Sequence, residues 1–174
     1  PETMQHQISR PALKEAFVSR GIDVDKASHQ QMRSLVCAQC HVEYYFKDEP
    51  KNYLKLPWKY GVTVEDMIKY YDEYDFYDYI HAISKTPIIK AQHPDYELFT
   101  TGIHAYVDVS CADCHMPYIS QGGVKYTNHH VQSPLLNISN SCAVCHRWGE
   151  DEIRTRVESI QTKVESVMFE TEDA

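Results

Sequence analysis

No apolar run in this sequence approaches the ~20 residues a helix needs to cross a bilayer, so no membrane span is expected. Basic residues are outnumbered, 17 against 25 acidic, for a net charge of −8. That balance argues against a nucleic-acid partner held by a basic surface. The start shows no basic, then apolar, then small-residue order of a secretory leader. It reads PETMQHQISR without an initiator Met, which leads us to expect a mature, processed or partial chain. Glycine is scarce at 6 of 174 residues, leucine is also sparse, and no low-complexity linker is present. The length points to one domain, or two small ones.

What is present is concentrated in cysteine, histidine and tyrosine. All six Cys fall into three pairs of one kind: Cys37-Ala-Gln-Cys40-His41, Cys111-Ala-Asp-Cys114-His115 and Cys142-Ala-Val-Cys145-His146. Each is C-x-x-C-H, the signature of covalent c-type haem attachment. Two thiols one helical turn apart suit the two vinyl groups of a porphyrin, and the next residue can ligate the iron from the same face. A zinc ribbon needs pairs of pairs, so three pairs leave one half-site orphaned. A disulfide framework gives no reason for His after every second Cys. With 10 His in 174 residues, three in that place by chance is on the order of 2 in 10,000 once C-x-x-C is granted. Haem c is therefore the expected cofactor, three per chain.

Three large flat apolar groups change what the core is made of. A mean hydropathy of −0.51 and 13 Tyr fit a core built largely from cofactor, and the haem-free chain is expected to fold poorly. Haem attachment takes place outside the bacterial cytoplasmic membrane, so the expected location is the periplasm or cell surface.

Along the chain, Ala12 to Arg20 reads as a short helix with Pro11 early and Gly21 at its stop. Asp25 to Cys40 reads as a helix delivering the first motif, and Val42 to Phe46 as a β-favouring run. Thr63 to Tyr79 repeats apolar and aromatic residues at helical spacing. Pro87 and Pro94 bracket a loop that cannot be a regular helix. Gly122-Gly123 joins Tyr118-Ile119-Ser120 to Val124-Lys125-Tyr126-Thr127 as a hairpin. From Glu150 to about Glu170, Ile153, Val157, Ile160, Val164 and Val167 form the stripe of an amphipathic helix of about five turns. The fold class is mainly α, a multihaem c-type cytochrome with a haem-packed core, little β and a long C-terminal helix. Its expected division is 1–149 as the three-haem region and 150–174 as the start of a long helix for dimer or partner contact.

Seven histidines remain after His41, His115 and His146: His6, His29, His81, His93, His104, His129 and His130. Six-coordinate haems need a second axial ligand each. His104, seven residues before Cys111, and the His129/His130 pair are the candidates by position, against the ordinary fate of a surface or core histidine.

The blocks Cys37-Ala-Gln-Cys40-His41-Val42-Glu43-Tyr44-Tyr45-Phe46, Lys90-Ala91-Gln92-His93-Pro94, Gly102-Ile103-His104 and Cys111-Ala-Asp-Cys114-His115-Met116-Pro117 resemble the pentahaem, ammonia-forming cytochrome c nitrite reductases. The order and spacing agree from about Arg33 to His146. That family reduces nitrite to ammonium by six electrons at a lysine-ligated haem attached through C-x-x-C-K, fed by bis-His haems. This chain has no C-x-x-C-K and three of the five haem motifs, so it resembles the middle of that enzyme: a partial chain, a piece of a split protein or a non-catalytic derivative.

The resemblance implies roles residue by residue. Tyr44 and His93 fall on the family's active-site Tyr and His, where a phenol and an imidazole can supply protons and hydrogen bonds. Glu43, Tyr44, Lys90 and Gln92 fall on its calcium site, Glu43 and Gln92 through side chains and Tyr44 and Lys90 through carbonyls. His104 matches the distal ligand of the haem on His146, and His129 that of a haem attached upstream. The distal ligands of the haems on His41 and His115 lie outside the matched stretch; in a chain acting alone, His6, His29 or His130 would have to substitute. The implied partners are nitrite, a quinol-oxidising or small cytochrome donor, and a second copy in a homodimer. Two other readings stand beside this one: a non-catalytic three-haem electron carrier, which composition alone favours, and reduction of another N–O or S–O substrate at the same site.

Overall fold

The computed structural model describes residues 10–47 and 53–172; His6 lies outside them. The chain forms two compact units, Pro1–Ser110 and Cys111–Ala174. Helix dominates, and the described strands form three separate two-stranded antiparallel sheets.

The first unit begins with α1, Pro11–Ser19. Pro11 stands at a first-turn position, where its missing N–H costs nothing and its fixed φ suits the helix. Ala12, Leu13, Ala16 and Phe17 form the buried face, and Gly21 closes the end at φ +72, a left-handed conformation that a Cβ would strain. Between Asp25 and Cys40 the single expected helix is broken. A 3₁₀ turn, Val24–Lys26, is capped by Asp23, and a new helix, α2 (His29–Leu35), starts at Ser28. Ser28 and Gln31 make a reciprocal capping box, which stabilises a fresh helix start at that point. Turns from Ser34 then carry the chain into Cys37 and Ala38.

Strands β1 (Tyr45–Lys47) and β2 (Tyr53–Lys55) pair in register Tyr45↔Lys55. Leu13, Phe17, Met32, Leu35, Ala38, Val42, Leu56 and Trp58 make the main core. Trp58 meets Phe17 edge-on at 5.5 Å and stacks on Tyr96 at 5.7 Å. Helix α3, Val64–Glu73, is capped by Thr63 and carries Glu65 and Asp66 where the helix dipole favours acids. It stops six residues short of the predicted Tyr79. Asp75 turns left-handed at φ 47, and Phe76 N–H donates back to the Tyr71 carbonyl at 3.0 Å. This seats Phe76 against Tyr45 and Tyr71 in a second, aromatic cluster with Tyr70. The freed chain forms β3 (Tyr79–Ile80), which pairs with β4 (Pro87–Ile88), so the predicted loop begins with a short strand. Two short helices follow, α4 (Asp95–Thr100) and α5 (Ile103–Tyr106).

In the second unit, α6 (Cys111–His115) leads to the hairpin β5 (Tyr118–Gln121) and β6 (Val124–Thr127). Gly122 and Gly123 take φ +58 and +79, the double positive φ of a tight two-residue turn. Helix α7, Glu150–Glu172, follows with three acids in its first turn. Ile153 is buried, but Ile160, Val164 and Val167 of the apolar stripe are each more than half exposed. Among the described residues no helix is long and apolar enough to cross a membrane.

Candidate functional site

The three C-x-x-C-H segments share one local geometry. His41 N–H donates to the Cys37 carbonyl at 3.0 Å, and His146 N–H to the Cys142 carbonyl at 2.9 Å. In the second motif the same turn is the helix Cys111–His115. One closed turn thus sets each histidine beside its pair of thiols. All six thiols are free of disulfides. The ring partners of the histidines differ. His41 Nδ1 lies 2.9 Å from Asp95 Oδ2, while His115 Nδ1 lies 3.0 Å from the Gln132 carbonyl. In both, engaging Nδ1 leaves Nε2 as the ring nitrogen available to a metal. His146 stacks on Trp148 with centroids 5.3 Å apart. In the second unit, burial pushes the Cys114 thiol up to about 11, helped by Cys142, Asp113, Cys111 and Cys145. Thiols in pairs, each followed by an imidazole that in the first two motifs is oriented through Nδ1, fit a covalently held porphyrin.

Around Glu43 the structure gathers oxygen donors. Glu43 is buried, and its carboxylate accepts from the Tyr71 hydroxyl at 3.0 Å and the Gln92 N–H at 2.7 Å. Gln92 Nε2 donates to the Lys90 carbonyl at 3.4 Å, and Lys90 N–H donates to Asp78 Oδ2 at 2.7 Å. Burial holds the Glu43 carboxyl above its ordinary range; the Gln92 and Tyr71 donors oppose this, and Asp78 adds to it. Among the described residues no three His, Cys, Asp or Glu converge as a metal cage. The donor set here is mixed, two carboxylates with a main-chain carbonyl and an amide, which suits a hard cation.

Tyr44 is half-buried and His93 exposed, with ring centroids 5.6 Å apart, and the His93 ring lies 5.8 Å from that of His41. A phenol, an imidazole and the histidine of the first C-x-x-C-H motif therefore share one locus. His104 sits exposed on α5 in the first unit. His129 and His130 are exposed in the segment after the hairpin, where His130 N–H donates to Asn128 Oδ1. His29 opens α2, and His81 bonds Ser84 in the turn between β3 and β4.

Four residues that sequence reasoning passed over shape this locus. Asp78 lies in a stretch crowded with acids, Asp72, Glu73 and Asp75, so nothing singled it out. Only the pairing of β3 with β4 brings it to Lys90. Asp95 follows His93-Pro94 and reaches His41. Glu97, 1% exposed, accepts from Glu43 N–H at 2.9 Å and Trp58 Nε1–H at 2.7 Å through Oε1. Its Oε2 is buried with no partner, and burial raises its carboxyl. Tyr71 completes the set through Glu43.

Mainly helical, with every cysteine in a C-x-x-C-H turn, the molecule is by class a c-type cytochrome. The model of the family "Cytochrome c552" matches residues 1–174, and the chain belongs to that family, with haem c as its cofactor. It is 60% identical over 173 residues to the cytochrome c-552 of Porphyromonas gingivalis, covering 99% of this chain and 34% of that protein. It is 60% identical over 167 residues to that of Bacteroides thetaiotaomicron, covering 96% and 34%. Among solved structures it is similar to the cytochrome c nitrite reductase catalytic subunit from Desulfovibrio desulfuricans, a structure with two calcium sites. The TM-score is 0.80 at 40% identity, covering 88% of this chain and 35% of that one. The chain spans about a third of the length of the relatives it matches.

Proposed function

We propose that these residues form part of a multihaem cytochrome c nitrite reductase that reduces nitrite to ammonium with six electrons. Three haems attach at Cys37 and Cys40, at Cys111 and Cys114, and at Cys142 and Cys145, with His41, His115 and His146 as their proximal ligands. His104 would supply the second ligand of a haem, and His129 that of a haem attached elsewhere in the protein. Bound haem c supplies couples that carry electrons one at a time. The chain's own residues handle protons and position. Breaking N–O bonds and releasing oxygen as water consumes protons, and the Tyr44 phenol and His93 imidazole stand together as donors. Glu43, the Tyr44 and Lys90 carbonyls and Gln92 would hold calcium, with Asp78 bonded to the Lys90 N–H. Such an ion would tie residues 43–44 to 90–92, keeping Tyr44 and His93 in register.

The observation that carries this reading is the Tyr44–His93 pair next to His41. An electron carrier has no use for a paired phenol and imidazole there. A quinol-oxidising or small cytochrome donor, a homodimer using the exposed stripe of α7, and a periplasmic location complete the proposal. In the complete haem-loaded protein, His93→Ala should abolish nitrite turnover while the intact mass shows unchanged haem content. Undiminished nitrite reduction by that variant would contradict the assignment.

A further inference from the structure

The first two haem-motif histidines have unlike ring partners, and His41 is paired with a formal charge. His41 Nδ1 meets the Asp95 carboxylate at 2.9 Å, whereas His115 Nδ1 meets a neutral backbone carbonyl at 3.0 Å. Resting on the haem reading above, we propose that Asp95 is the electronic tuning residue of the haem on His41, making that imidazole a stronger donor to iron and lowering its couple below where a neutral partner would leave it.

The physical route is short. A carboxylate draws the Nδ1 proton more strongly than a carbonyl does and gives the ring imidazolate character. A more electron-rich axial ligand stabilises ferric over ferrous iron, so the reduction potential falls. As an ion pair at the surface the contact would be worth little, since both side chains are more than half exposed in the protein alone. Its leverage comes instead through a directed hydrogen bond to an atom of the ligating ring.

The geometry around Asp95 fixes that bond in place. Three successive residues of α4 hold the segment His41–Glu43: Asp95 takes the His41 ring, Tyr96 N–H donates to the His41 carbonyl at 3.0 Å, and Glu97 accepts from Glu43 N–H at 2.9 Å. Glu97 is itself anchored by Trp58, which is fully buried. These anchors hold the α4 backbone at Asp95 beside His41, within reach of its ring. A lowered couple would make that haem harder to reduce and, once reduced, a stronger electron donor to its acceptor.

The test uses the complete haem-loaded protein. Asp95→Asn keeps size and an acceptor oxygen but removes the charge, and Asp95→Glu restores a carboxylate. Redox titration followed optically and by electron paramagnetic resonance should show one couple shifted upward in Asp95→Asn, the others unmoved, and wild-type behaviour in Asp95→Glu. Wild-type protein should also show a low-spin signal with the narrowed g-spread of an imidazolate-like ligand that is lost in Asp95→Asn. All couples unmoved in Asp95→Asn, with haem still mapped to the Cys37–Cys40 peptide, would overturn the inference and leave the proposed function standing. Absence of the narrowed signal in the wild type would overturn it equally, even if Asp95→Asn fails to load haem. A wild-type Cys37–Cys40 peptide without haem would instead overturn the haem reading and this inference with it.

Discussion

The two units of the chain solve the problem of stability differently. The first, Pro1–Ser110, owns a protein core in which Leu13, Phe17, Trp58 and their neighbours are almost fully buried, together with a second cluster of Tyr45, Tyr70 and Tyr71. The second, Cys111–Ala174, buries little of its own: among the described residues Ala112, Ile138 and Ile153 are its buried hydrophobics, alongside Pro117 and Ser141. It leaves Val131, Leu136, Val144 and much of the α7 stripe exposed, yet carries two of the three haem motifs in 64 residues. A segment of that size with so few buried side chains needs a cofactor or cross-link to hold together. The first unit can shape a site by protein packing, and the second, on the function proposed above, would take its shape around its haems.

Withholding haem is the harshest way to break this comparison and should have the largest effect. Hydrogen exchange on chain made without haem attachment should show loss of protection throughout residues 111–147. Amides of Pro11–Ser19 and His29–Leu35 should keep part of theirs. Equal loss in both units would refute the distinction. Next comes Trp58→Ala, which removes the stacking partner of Tyr96 and one of the two donors to Glu97 Oε1. It should cost about 3–5 kcal/mol, seen as faster exchange in the first unit, with haem stoichiometry in the second unchanged. A change confined to the second unit would reverse our assignment of the core.

Asp78→Asn sharpens the comparison at the Glu43 cluster, where the first unit's packing serves a site. Calcium affinity, read by titration calorimetry, should fall on the order of 10–100-fold if Asp78 orients the shell around Lys90. Unchanged affinity would remove Asp78 from that shell. The smallest effect is expected at Gly122, at φ +58 with open space where a Cβ would go. Gly122→Ala should cost about 1 kcal/mol through backbone strain alone, measured as local exchange in the hairpin with the haem couples unmoved.

Local patterns were legible in the sequence, and long-range pairings were not. The Gly122-Gly123 hairpin and the helix from Glu150 follow from turn chemistry and apolar spacing and appear where that spacing predicts them. The α1 helix likewise lies between Pro11 and Gly21. The end of α3 was invisible because aromatic spacing continues past Glu73. What stops the helix is the Phe76–Tyr71 hydrogen bond and the seat of Phe76 against Tyr45, tertiary facts that override periodicity. The break before α2 was readable in principle, since Ser28-x-x-Gln31 is a capping box. At the site, the residue types of the haem turns carried their own chemistry, whereas Tyr44, His93 and the calcium set depended on resemblance. Asp78, Asp95 and Glu97 are single acids whose meaning comes from partners 12 to 54 positions away.

The central claim, a chain built around three covalent haems of which two shape the second unit, is tested most directly by peptide-mapped mass spectrometry of the mature protein. We predict one haem mass on each of the peptides holding Cys37–Cys40, Cys111–Cys114 and Cys142–Cys145. An unmodified peptide at either of the last two sites, in protein that is folded and protected there, would contradict the account.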